Sequence, residues 1–315
     1  MVALIENDDD YWSSSDPQLL ATHPAPCNDT QNSGLLAGLY GTIPSVRLGD
    51  ACALVITIDY KTSPRDYSDW ANKPGFTLTG ATGDCNAVQG ILKQVGLSTE
   101  HIKCLSNEEA THSNINRELS HIYRLSKPAT VYIQGHGLML PYKRFEFLPH
   151  DYYISDPPRG IECYDLRSNL SLWQGQAPAQ RLIITDLCYG YNFNRLPYVL
   201  TFGIDGPYWG ISDEWQEQGY QPSFSNTVLH FAAGSFDEVT YENSVGGFFT
   251  QVACKVMKEP RTLPDLLMRV RAGVCERIHS YSDKFSQTPQ LYASHELDLY
   301  DKDVLQLFGW FGPMP

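Results

Sequence analysis

Two segments of the sequence end an apolar, β-branched run in a reactive side chain. "RLIITDLCYG" (181–190) closes on an acid, a spacer and a thiol, Asp186 and Cys188, and "TVYIQGHG" (130–137) closes on the imidazole of His136. A thiol with a pKa of about 8.5 is only a few per cent thiolate at neutral pH, and a nearby imidazole raises that fraction. A Cys–His pair suits acyl transfer. The sulfur attacks a carbonyl, and the imidazole takes the thiol proton and gives it to the departing amine. The backbone N–H groups of Gly137 and Cys188 are candidates to hold the oxyanion, and Gly135 and Gly137 let the main chain approach a substrate closely.

The elements that must bring this pair together are read from hydrophobic periodicity. Strands are expected at 53–58, near 101–105, and at 129–133, 181–185, 227–232 and 289–294. Between them lie amphipathic helical patterns: Val88, Ile91, Leu92 and Val95; Ile115, Leu119 and Ile122; Phe248, Val252 and Val256; Leu267, Val270, Val274 and Ile278. Apolar strands separated by such helices imply an α/β fold with a mostly parallel sheet covered on both faces. Ligands of open α/β sheets bind beyond the carboxyl ends of the strands, which is where Asp59, Tyr60, His136, Asp186 and Cys188 fall. Two long stretches, 137–162 and 189–226, read as irregular, and each follows one of the two reactive strand ends. Loops of that length in a compact domain are usually functional or mobile.

Residues 1–50, rich in Ser, Asp, Asn, Pro and Gly, read as an N-terminal tail or prosegment ahead of a domain spanning 51–315. With 42% hydrophobic and 12% aromatic residues in 315, the chain can bury a sizeable core. A net charge of −13 argues against nucleic acid or an anionic membrane as partner. "MVALIENDDDYW" carries acids and has no basic, apolar leader, and no apolar run reaches the roughly 18 residues of a membrane span. The eight cysteines are scattered, with no C-x-x-C pair, so the thiols are expected to be reduced and the location cytoplasmic.

In family order along 52–300 run "ALVITIDY" (53–60), "LTGATGDCNAV" (78–88), "VYIQGHG" (131–137), "ITDLCYG" (184–190), "LPY" (196–198), "GGFFTQVACKV" (246–256) and "QTPQLYAS" (287–294). In these segments the chain resembles the caspase-fold cysteine peptidases, and most of all the type I metacaspases. The interval of about 50 residues between His and Cys agrees with that resemblance. It implies a three-layer sandwich around a mostly parallel sheet of six or more strands. It also implies His136 as general base and acid, Cys188 as nucleophile, and Asp84 with Asp186 as the carboxylates that bind an Arg or Lys side chain before the scissile bond. Two acids in one pocket repel unless a cation joins them, and guanidinium is held by paired N–H bonds. Asp84 also begins a helical pattern, so a helix-start role is compatible with the pocket role.

The chain departs from the family pattern at four places. "YGY" (189–191) stands where metacaspases usually read His-Ser-Gly, and Gln134 stands where a Ser usually contributes to the specificity pocket. Of the acids that hold activating Ca²⁺ in metacaspases, only Asp151 matches. Cys163 and Tyr164 replace an adjacent pair beside Glu162, and Arg195 replaces the fourth. A hard cation needs several oxygen ligands, so no calcium site and no cofactor are expected. Residues 196–226 hold no Lys or Arg, so the enzyme is expected to stay intact in this linker; Arg195 is the nearest target, and Arg47, Lys61 or Arg65 would trim the N-terminal segment. The expected partners are proteins or peptides with Arg or Lys at the cleavage site, acted on by a monomer. The alternative is a catalytically weak or inactive caspase-fold protein that acts by binding.

Overall fold

The computed structural model describes residues 3–4, 51–61, 76–140, 144–154, 157–163, 165–166, 179–217, 224, 226–259, 261–282, 284–302 and 304–308. The expected N-terminal tail, 1–50, lies outside them except for a two-residue strand, β1 (Ala3–Leu4).

The apolar runs form the centre of an eight-stranded sheet. In chain order its strands are β2 (Cys52–Thr57), β3 (Ile102–Ser106), β4 (Ala129–Gly135), β8 (Gln180–Leu187), β9 (Tyr198–Gly203), β10 (Gly206–Ile211), β11 (Thr227–Ala232) and β14 (Gln290–Ala293). Across the sheet the order is β10-β9-β14-β11-β8-β4-β2-β3. The five strands from β11 to β3 are parallel, and β14, β9 and β10 pair antiparallel. The central strands are buried on both faces, which is why they read as continuous apolar runs rather than alternating ones. Two short three-stranded sheets sit apart: β5 (Gly137–Leu140), β6 (Arg144–Phe147) and β7 (Ile161–Glu162); and β1 with β12 (Tyr241–Asn243) and β13 (Gly246–Gly247).

Helices cover both faces. α1 (Ala81–Gln94), α4 (Phe248–Val256) and α5 (Leu263–His279) bury Val88, Ile91, Phe248, Val252, Val270 and Val274 against Val55, Tyr132, Ile184 and Phe231. α2 (His112–Arg124) buries Ile115, Leu119 and Ile122 on the opposite face, against Leu54, Ile56 and Val131. The short α3 (Asp213–Gln216) follows β10. Thr111 and Thr262 cap α2 and α5 by accepting the N–H groups of Asn114 and Asp265, satisfying donors the helices leave open.

Arg181, at the start of β8, is fully buried. Its guanidinium donates to the carbonyls of Ile122, Leu125, Lys127 and Gln180, so it closes the last turn of α2 onto the sheet. Replacing Arg181 with Met leaves these acceptors without their donor and is expected to lower unfolding free energy by about 2–4 kcal/mol, read as a shift of the urea midpoint.

The predicted strands and helices are all present, with ends moved by a few residues. The two stretches read as irregular are not so. Residues 137–162 contain β5, β6 and β7, and 189–226 contain the β9–β10 hairpin and α3. The hairpin turns at Ile204–Asp205 and lays β9 along β14, which would otherwise be the sheet edge.

Candidate active site

The register of β4 and β8 places the two reactive ends side by side. Gln134 pairs with Asp186 and Gly135 with Leu187, so His136 and Cys188 are the next residues off the same edge. The turns that follow are in contact: a Cβ on Gly137 would collide with the Cys188 carbonyl. Any larger residue at 137 would therefore push the imidazole strand away from the thiol strand.

The His136 ring is buried and packs against both Tyr60 (4.6 Å between centroids) and Phe76 (4.9 Å), which also touch each other. Its Nε2 lies 2.6 Å from the Phe76 carbonyl oxygen. A carbonyl only accepts, so Nε2 carries the proton and Nδ1 is left as the basic nitrogen. The Tyr60 hydroxyl donates to the Leu148 carbonyl and accepts the His136 backbone N–H, which fixes where the ring leaves the sheet. Burial pushes the imidazole down to about 3, so the resting ring is neutral at pH 7. Cys188 is buried, and its Sγ accepts the Thr240 backbone N–H at 3.1 Å.

Below the pair lie the acids. Asp84, in the first turn of α1, accepts the Gly247 N–H with both oxygens at 2.9 Å. Asp186 accepts from the Thr250 hydroxyl at 2.7 Å and from its N–H at 3.3 Å, and Tyr132 hydrogen-bonds that same hydroxyl. Gly246 and Gly247 pass between the two carboxylates; a Cβ on Gly246 would collide with Asp84, and one on Gly247 with Asp186. Gly246 has φ +151, a conformation L side chains rarely adopt. Asp84 therefore does not cap its helix, which begins after Gly80. Gln134 lies beside Asp186 in the register, and its Oε1 accepts the Ile58 N–H.

A third acid was not found from sequence. Glu242, on β12, is buried and accepts the Gly80 N–H at 3.4 Å, at the start of α1. Burial raises all three carboxyls: Asp186 to about 6, Glu242 to about 7, and Asp84 well above the usual range, with Asp186 adding repulsion. Among the described residues no Lys or Arg forms an ion pair with any of the three. β1 runs parallel to β12, pairing Ala3 with Tyr241 and Leu4 with Glu242.

The described residues expected at calcium positions from the metacaspase resemblance have protein partners. Asp151 accepts the His112 N–H at the start of α2, Glu162 pairs with Arg144 at 2.7 Å, and Cys163 donates to the Phe193 carbonyl. Tyr164 lies outside the described residues. Among the described residues no three His, Cys, Asp or Glu side chains are grouped to hold a metal, and no helix is long and apolar enough to cross a membrane.

A parallel-centred sheet between helices, with thiol and imidazole at adjacent strand ends, defines a caspase-like α/β protein. The chain belongs to the caspase-domain family of cysteine peptidases, whose model matches residues 51–300. A Geobacter sulfurreducens protein of known crystal structure is similar over 79% of this chain and 95% of its own, at 13% identity and TM-score 0.53. Caspase-1 from Spodoptera frugiperda is similar over 82% and 92%, at 15% identity and TM-score 0.44. No curated protein matches the sequence.

Proposed function

We propose that the protein is a cytoplasmic cysteine endopeptidase of the metacaspase kind that cleaves after Arg or Lys. The observation that carries this reading is the cluster of Asp84, Asp186 and Glu242, three buried carboxyls that form no ion pair with Lys or Arg among the described residues. Burying carboxyls without a counter-ion is costly, and a guanidinium that reaches this cluster converts that cost into binding. An acidic side chain would add a further negative charge to the same pocket.

In this mechanism neutral His136 takes the Cys188 proton at Nδ1, and the thiolate attacks the carbonyl of the basic residue. The N–H groups of Gly137 and Cys188 hold the oxyanion. His136 then protonates the leaving amine, the thioester remains on sulfur, and water releases it. Because the resting imidazole is neutral, it can take a proton as the sulfur attacks. The protein acts without calcium and without cleavage at 196–226. It acts as a monomer.

The test is hydrolysis of peptides carrying Arg, Lys or Asp before a reporter, with and without calcium. Arg and Lys substrates are expected to turn over, Asp substrates to resist, and calcium to change nothing. Preference for Asp would overturn the pocket assignment. The pocket also sets a pH dependence. Carboxyls raised to about 6 and 7 hold their protons below that range and give them up above it. A guanidinium needs the ionised form, so kcat/KM on Arg peptides is expected to climb as pH rises through 6 to 7. A flat profile across that window would argue against the acids as its binding site.

A second reading, a caspase-fold binding module, is favoured by the complete burial of Cys188. Turnover by the wild type no better than by Cys188→Ala would establish it.

A further inference from the structure

A cavity of about 370 Å³ opens beside His136. Phe76, Leu138, Leu148, Tyr152, Tyr153 and Tyr189 line it, together with the imidazole itself. Its wall is a continuous aromatic row: His136 stacks on Phe76, Phe76 lies 6.0 Å from Tyr153, and Tyr153 meets Tyr152 edge-on at 4.7 Å. Among the described residues no carboxylate, Lys or Arg lines it, and no residue of β12, β13 or α4 contributes. It is thus separate from the cluster of Asp84, Asp186 and Glu242.

The chemistry of the pair assigns each side of the thiol to one half of a peptide. The acyl half stays on sulfur as a thioester, with its last side chain among the acids. The amine half must begin within reach of His136, which gives it a proton. A cavity walled by that ring therefore takes the first side chain of the amine half. We propose that it is the subsite for a large apolar or aromatic residue immediately after the scissile bond. This rests on the cleavage reading above and adds a second specificity element to it. The cavity exceeds what one aromatic side chain fills, and it lies in the size range of ordinary ligand pockets. A charged side chain would lose its water there and find no charged partner among the described residues, whereas an apolar one gains by leaving water.

The test compares quenched peptides with Arg before the cut and Phe, Leu, Gly or Asp after it. Phe and Leu are expected to exceed Gly by about 10- to 100-fold in kcat/KM, with Asp lowest. A second measurement needs no turnover: calorimetric binding of Phe-Gly-Gly and Gly-Gly-Gly to the Cys188→Ala protein. Phe-Gly-Gly is expected to bind more tightly, and Leu138→Asp, at the half-buried cavity lip, to remove both preferences. Equal cleavage of Phe, Gly and Asp peptides with equal tripeptide binding would overturn the subsite and leave basic cleavage standing. If no peptide is cleaved yet Phe-Gly-Gly binds in a Leu138-dependent way, the cleavage reading falls and the apolar site stands.

Discussion

Cys188→Ala is expected to reduce hydrolysis of Arg peptides by about 10⁴-fold or more, the scale seen when a covalent nucleophile is deleted. The fold gives the substitution little else to do. Cys188 follows β8 in a turn whose position is set by the buried strand and by Gly137, and alanine fits the same space with one atom fewer. His136→Ala is expected to cost about 10²–10⁴-fold, because it removes proton transfer to and from the reacting groups while the thiol remains. The two losses should not multiply in the double variant, since nucleophile and base act on one step. Active-site titration with a thiol reagent separates the cases: His136→Ala retains the reactive Cys188 and Cys188→Ala does not. If His136→Ala kept full activity on Arg peptides, the neutral ring held by Phe76 would be a structural residue and another base would have to serve.

Much of this arrangement was legible in the sequence because it depends on buried strands. β4 and β8 are covered on both faces, so they appear as unbroken apolar runs, and the residues that follow them stand out as polar interruptions. That His136 and Cys188 leave the sheet at the same edge then needed only that the two strands be neighbours in register. Other parts left weaker marks. The β9–β10 hairpin carries an Asp205-Gly206 turn signal, but Gly203, Gly206, Gly210 and Pro207 break the strand pattern around it. The orienting partner of His136 is a backbone carbonyl, and every residue has one, so nothing in the letters distinguishes Phe76. Glu242 was hidden for a different reason. It sits in "YEN", a three-residue strand far from Asp84 and Asp186 in sequence, and only folding brings it to the start of α1. The role of Asp84 was half visible: its place in the first turn of a helix could be read, but its bond to Gly247 spans 163 residues.

Asp186→Asn is expected to lower kcat/KM on Arg peptides by about 10²–10³-fold, the effect of removing one partner from a buried, hydrogen-bonded charge pair worth about 2–5 kcal/mol. Asparagine keeps the shape of the carboxyl and an oxygen for the Thr250 hydroxyl, so the loss reports charge rather than packing. The reaction of Cys188 with a small neutral alkylating agent should be unchanged, because the thiol and the Gly137 turn are not altered. That contrast separates a pocket residue from a catalytic one. Asp84→Asn should behave in the same direction, and the two are expected to be non-additive, since under the proposed function the carboxylates share one guanidinium and they repel each other when it is absent. Removing either acid also relieves the other: in Asp186→Asn the remaining Asp84 should ionise at lower pH, shifting the rise of activity toward acid even as its height falls. A variant that lost activity on Arg and Lys equally with loss of Cys188 alkylation would show that Asp186 supports the β8 end itself. One that lost activity on basic substrates alone would assign to Asp186 the choice of side chain.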